Sequence, residues 1–118
     1  GMMKATLSNG VAHKELCAPE MVNGYTKPSE GRLDRALYQF FSNTCKKDLP
    51  NYEPLLKSLK MPVKVIWGKQ DEILVWDKMS EKVKNALSLK DEDIHILEDA
   101  KHFIQEEKPI EIVNFIVN

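Results

Sequence analysis

The pattern of apolar positions along the chain changes near Leu49-Pro50 and is most regular after it. Leu55, Leu56 and Leu59 share the buried side of a helix predicted over 52–59, and Met61-Pro62 ends it because a residue before proline is pushed out of the α region. Residues 63–67 are rich in β-branched and aromatic side chains and are closed by Gly68, which predicts a strand. A helix over 75–87 follows, with Trp76, Met79, Val83, Ala86 and Leu87 inward. The run Ile94-His-Ile-Leu97 predicts a second strand with His95 on its outer side, and Lys90-Asp-Glu-Asp93 before it reads as a solvated loop. Pro109 opens a terminal helix whose Ile110, Ile112, Val113, Ile116 and Val117 make it apolar around most of its circumference.

Strand, helix, strand, helix predicts an α/β class chain with a βαβα unit, two parallel strands and a right-handed crossover. Upstream, residues 1–48 show weak periodicity and hold all but one of the five glycines. A short helix is predicted over 18–23, with Pro19 in its first turn. A second is predicted over 31–43, where Leu33, Leu37, Phe40 and Phe41 share a face. The organisation expected is a helical segment, 1–48, followed by an α/β segment, 49–118.

Composition changes this picture little. The 118 residues, 42% hydrophobic and 30% charged, suit one globular domain able to bury a core. A formal charge of −1 with dispersed lysines gives no basic field, which argues against nucleic acid as a partner. No apolar run approaches the roughly 18 to 20 residues that cross a bilayer, and the amino end has no signal-peptide stretch, so no membrane partner and a cytoplasmic location are expected. Cys17 and Cys45 have neither a second pair nor a histidine at ligand spacing, so both are read as free thiols; no metal site and no cofactor are expected.

The candidate chemistry lies at the strand ends. In parallel strands both carboxyl ends share one edge, where α/β proteins place their sites. Asp71 follows the first strand and His102 the second, so both side chains should project from adjacent loops. A hydrolytic histidine carries a proton from nucleophile to leaving group, and a carboxylate on its far nitrogen fixes the tautomer and stabilises the imidazolium. Asp71 and His102 suit those two roles. Other residues read more plainly. Trp67 and Trp76 are core or pocket-wall aromatics, and His13 and His95 lack partners that would make them ligands.

Pro62-Val-Lys-Val-Ile-Trp-Gly-Lys-Gln-Asp71, followed by a helix, a strand and His102-Phe-Ile-Gln-Glu-Glu-Lys-Pro109, resembles the carboxyl-terminal part of the α/β-hydrolase superfamily, in the branch of epoxide hydrolases and haloalkane dehalogenases. The resemblance covers residues 50–118. It implies a partial α/β-hydrolase fold, with Asp71 as the triad acid and His102 as the general base. More loosely, Glu20-Met-Val-Asn-Gly-Tyr25 and the segment from Gly31 to Phe41 resemble the helical cap that shapes the substrate pocket in that family. On that basis Tyr25, Phe40, Phe41, Trp67 and Phe103 are the candidate substrate-binding residues. Where epoxide hydrolases carry a ring-opening cap tyrosine, Phe40 and Phe41 stand here without a hydroxyl, which counts against epoxide opening unless Tyr38 takes that place. Lys101 stands where the family has small residues, and it is expected to point to solvent.

The family's first six strands, oxyanion-hole loop and nucleophile elbow have no counterpart. Neither Gly-x-Ser-x-Gly nor Gly-x-Asp-x-Gly occurs, and Thr6-Leu-Ser8-Asn-Gly10 keeps half of that pattern with no strand before it. Two readings follow. The chain is a truncated hydrolase carrying a triad remnant, inactive alone and completed by an amino-terminal hydrolase segment whose nucleophile is Ser or Asp. Alternatively it is a non-catalytic fold module that self-associates as a homo-oligomer, because two parallel strands leave both sheet edges unpaired.

Overall fold

A computed structural model describes residues 2–29, 33–44 and 51–118 of the chain. It is a mixed helix and strand structure whose sheet, among the described residues, has two parallel strands, β1 (Val65–Gly68) and β2 (Ile94–Leu97). The register pairs Val65 with Ile94 and Gly68 with Leu97, so both strands end at the same level. Helix α5 (Trp76–Leu87) connects them and buries Trp76. Its other predicted inward residues, Met79, Val83, Ala86 and Leu87, are half-buried. The helix stops at Ser88, the one described non-glycine residue with a positive φ, 54°. That left-handed step is the usual way a helix ends, although glycine more often takes it.

The strand begins at Val65 rather than at Val63. Pairing explains the shift, since Ile94 is the first residue of β2 and its partner is Val65, so Val63 and Lys64 lie beyond the ladder. The helix predicted over 52–59 is the shorter α4 (Glu53–Lys57), and its leucines are not buried: Leu55 is 62% exposed, Leu56 37% and Leu59 38%. Spacing along a helix defines a face but does not supply what covers it. A short helix that the pattern does not predict, α6 (Ile104–Glu107), precedes α7 (Pro109–Val117), which begins at Pro109 as predicted. Ile110, Val113, Ile116 and Val117 of α7 are exposed. His95, expected on the outer side of its strand, meets α7. Its ring stacks on Phe115 of α7 with centroids 5.0 Å apart, and its Nε2 lies 2.9 Å from Glu111 Oε1.

The amino-terminal segment holds a helix that periodicity does not announce, α1 (Met2–Gly10). Thr6, Ser8, Asn9 and Gly10 are poor helix formers. Packing sustains the helix instead: Leu7 and Val11, each 1% exposed, form a small core with Cys17, against which Met3, Met21, Val22, Tyr25 and Phe103 pack. Helix α2 (Pro19–Thr26) runs three residues past its predicted end, continuing through Gly24 despite glycine's low helix propensity. Helix α3 (Leu33–Thr44) ends one residue past the predicted Asn43, and Gly31, its predicted start, lies outside the described residues. The boundary at Leu49-Pro50 and Cys45 also lie outside them. Among the described residues no helix is long and apolar enough to cross a membrane.

Candidate functional site

Asp71 and His102 meet at the carboxyl edge of the two strands. Beyond β1 the chain is held to the end of β2 and the loop after it by two backbone bonds, Lys69 N–H to Leu97 O at 2.8 Å and Gln70 N–H to Ala100 O at 3.0 Å, while Asp71 N–H closes a turn onto Gly68 O at 3.2 Å. This approach requires Gly68, where a Cβ would run into the carbonyl oxygens of Lys101 and Ala100. Ala100 is fully buried beside it. Glycine is the residue that lets backbone pass this close to backbone.

The Asp71 carboxylate is buried and spends both oxygens. Oδ1 accepts the Ile73 N–H at 2.8 Å and the Leu74 N–H at 2.9 Å, and Oδ2 lies 2.8 Å from His102 Nδ1. Burial pushes its proton affinity up, but the bonds from Leu74, His102 and Ile73 together outweigh burial and hold the carboxyl below its ordinary value. An ionised carboxylate only accepts, so the proton of the bond lies on Nδ1, and in the neutral ring Nε2 carries the lone pair. That is the tautomer a general base needs.

The surroundings fix this pair. Trp67 Nε1–H donates to Leu74 O at 2.8 Å, and the ring packs on Trp76 with centroids 5.2 Å apart. Phe103 meets the His102 ring edge-on at 5.3 Å, and its own N–H donates to Gly10 O at 2.9 Å. The Lys101 N–H donates to Glu107 Oε1 at 2.8 Å. An open cleft of about 180 Å³ lies against Asp71 and His102, walled by Ile66, Trp67, Leu74 and Ile104. Lys101 also lines it and is mostly covered, its Nζ 3.6 Å from Glu72 Oε2, which replaces the expectation that it points to solvent.

The two candidate catalytic residues are therefore in contact, and Trp67 lines their cleft. The remaining candidates stand elsewhere. Phe103 supports His102 from outside the cleft lining. Tyr25 turns its hydroxyl to Glu106 Oε1, donating at 2.7 Å, and accepts from Gln105 Nε2 at 3.2 Å, with its ring 6.3 Å from Phe103. Phe40 is exposed on α3 and does not line the cleft, and the Phe41 side chain lies outside the described residues. Ser8 is half-buried within α1, not on an elbow. Among the described residues, the cleft lining contains no serine, threonine or cysteine.

The histidines read as lacking partners both have carboxylate partners. His13 Nε2 lies 2.8 Å from Asp99 Oδ2, and His95 pairs with Glu111. Neither makes a metal site: among the described residues no group of three or more His, Cys, Asp or Glu could hold an ion. Sequence reasoning missed Glu107, whose Oε2 also accepts the N–H groups of Ala12, at 2.7 Å, and His13, at 3.2 Å. The only signal was a glutamate five positions after His102, and a glutamate entering a short helix is ordinarily solvated. Compared with known proteins, the chain matches no family model, no curated protein and no solved structure.

Proposed function

We propose that Asp71 and His102 are the acid and general base of a hydrolytic site of the α/β-hydrolase type, completed by a nucleophile from an amino-terminal hydrolase segment. The observation that carries this reading is the 2.8 Å bond between His102 Nδ1 and a buried, doubly anchored Asp71, at the mouth of a cleft. In that arrangement His102 Nε2 takes a proton from a serine nucleophile, or from water attacking an ester formed on an aspartate nucleophile. Asp71 holds the ring and stabilises the imidazolium that results. The substrate class is an ester, an epoxide or a carbon–halogen bond.

The test is complementation. The chain is mixed with an amino-terminal α/β-hydrolase segment carrying the elbow and the first six strands, complex formation is followed by size exclusion, and hydrolysis of p-nitrophenyl acetate, an epoxide and a haloalkane is measured. The complex is expected to hydrolyse at least one class, and D71N and H102A are expected to abolish the gain, while the chain by itself shows none. A stable complex without gain on any class sinks the proposal.

A second reading, a self-associating module without catalysis, is favoured by the exposed apolar residues of α4 and α7 beside a two-stranded sheet. Two strands are marginal without further cover, and a second copy of the chain supplies it.

A further inference from the structure

We propose that Glu107 is a positioning residue for His102 and that it makes the orientation of the imidazole depend on the seating of α1 and the residues that leave it. The role rests on reading His102 as a base, but the contacts that carry it are independent of any substrate. The peptide unit joining Ala100 to Lys101 is held at both poles: its carbonyl accepts Gln70 N–H at 3.0 Å, and its N–H donates to Glu107 Oε1 at 2.8 Å. The unit joining His102 to Phe103 is held through its N–H by Gly10 O at 2.9 Å. His102 is thus bracketed by restrained peptides. The restraint after it comes from α1, and the restraint before it is shared with the exit of α1.

That sharing is the unusual feature. The second oxygen of Glu107 accepts Ala12 and His13 N–H at 2.7 and 3.2 Å, so one carboxylate holds three backbone donors from two distant stretches of chain. A carboxylate has about four acceptor positions, and three of them are used here on backbone. A side chain serving α6 alone would have no need of Ala12 and His13. If α1 lifts away, Glu107 loses two of its three donors and is free to turn, and Lys101, next to the base, loses its anchor. Groups that position a catalytic side chain in this way act through geometry, and errors well under an ångström are felt at the reacting atom.

The experiment reads the histidine ring directly. Long-range ¹H–¹⁵N spectra of the full ¹⁵N-labelled chain report which ring nitrogen of His102 carries the proton, at a fixed pH where the ring is neutral. The native chain is expected to show the Nδ1–H form alone. In Glu107→Ala that single form is expected to be lost to a mixture with the Nε2–H form, and Glu107→Gln, which keeps one acceptor oxygen, is expected to restore it in part. Amide exchange at Lys101, Ala12 and His13 in the native chain is expected to be slowed relative to an unstructured peptide. A folded Glu107→Ala with unchanged His102 nitrogen signals overturns the proposal. Should that variant not fold, an unchanged Glu107→Gln spectrum, or unprotected exchange at the three native amides, overturns it instead. Absence of hydrolysis in the complemented mixture speaks against the hydrolase reading and leaves this ring measurement to decide the role of Glu107.

Discussion

Trp67 and Leu74 hold the acid loop closed: the indole N–H donates to the Leu74 carbonyl at 2.8 Å, while the N–H of the same Leu74 donates to Asp71. The strand before Asp71 therefore fixes the turn after it. Trp67→Phe keeps an aromatic ring against Trp76 but leaves that carbonyl without its donor. A loss of about 0.5–1.5 kcal/mol is expected from a single neutral hydrogen bond. The urea midpoint of the variant measures it, and an unchanged midpoint would show that the loop does not need the indole.

Acid should unfold the chain partly through Asp71. Its folded carboxyl lies below the ordinary value of 3.8, because the bonds from Leu74, His102 and Ile73 outweigh burial. The unfolded chain therefore takes up the proton first as pH falls. The stability from this group is present above 3.8 and is lost as pH drops through the lower, folded value. Asp71→Asn removes that dependence. It should cost about 1.5–3 kcal/mol near neutral pH, the range for bonds to a charged group, with the gap to the native chain narrowing below pH 4. Denaturant melts across that range, compared between the two chains, check it.

Two glycines in the same neighbourhood should respond differently to alanine. At Gly68 the added methyl meets the backbone of Ala100 and Lys101, which cannot turn aside, so the loop carrying His102 must move. At Gly10 it meets the ring of Phe103, a side chain that can rotate at the expense of its packing on His102. Gly68→Ala is expected to lose about 1–3 kcal/mol or more, in the range of an overpacked core, and Gly10→Ala less. Equal losses would mean that the approach of the two loops is looser than described.

Tyr25 should be slow to ionise. Its hydroxyl donates a hydrogen bond to Glu106, and that bond, helped by burial and by the charge of Glu106, outweighs the opposing bond from Gln105 and holds the proton affinity above the ordinary 10.0. A raised value means that the stabilisation is complete below pH 10 and is lost as pH climbs through the folded value. An ultraviolet titration should show one tyrosine ionising after the others, and Tyr25→Phe should remove that late step. Loss of a different step would place the shift elsewhere.

Self-association is measurable directly. Ile110, 74% exposed, and Ile116, 60% exposed, both stand uncovered on α7. Light scattering is expected to give a mass above 13.6 kDa at micromolar concentration, with Ile110→Lys and Ile116→Lys bringing it down to that value. A native chain at 13.6 kDa would dismiss the self-associating module.

Much of the α/β segment is legible in the sequence. Ile94–Leu97 is bounded by a charged run and by turn residues, and within a helical pattern proline belongs in the first turn, so β2 and α7 lie where the pattern puts them. The meeting of Asp71 with His102 follows from parallel strands ending together. What stays hidden has a common cause. Periodicity records a face but not its neighbour, so Leu55 and Leu59 look like core and are exposed, while α1 looks like loop and is held by Leu7 and Val11. Glu107 is invisible for the same reason, because its partners are backbone N–H groups that no residue type announces.

The bond from Ala12 to Glu107 joins residues 95 positions apart. Closing a chain loop of that length costs about 4 kcal/mol in entropy before any contact repays it. Most of the core around Leu7 and Val11 comes from residues 3–25, but Phe103, which packs on it, follows His102 directly. The amino-terminal core is therefore complete only when the loop carrying the base has been seated on it. Folding of the amino-terminal helices and assembly of the acid–base pair should thus be coupled in one kinetic event.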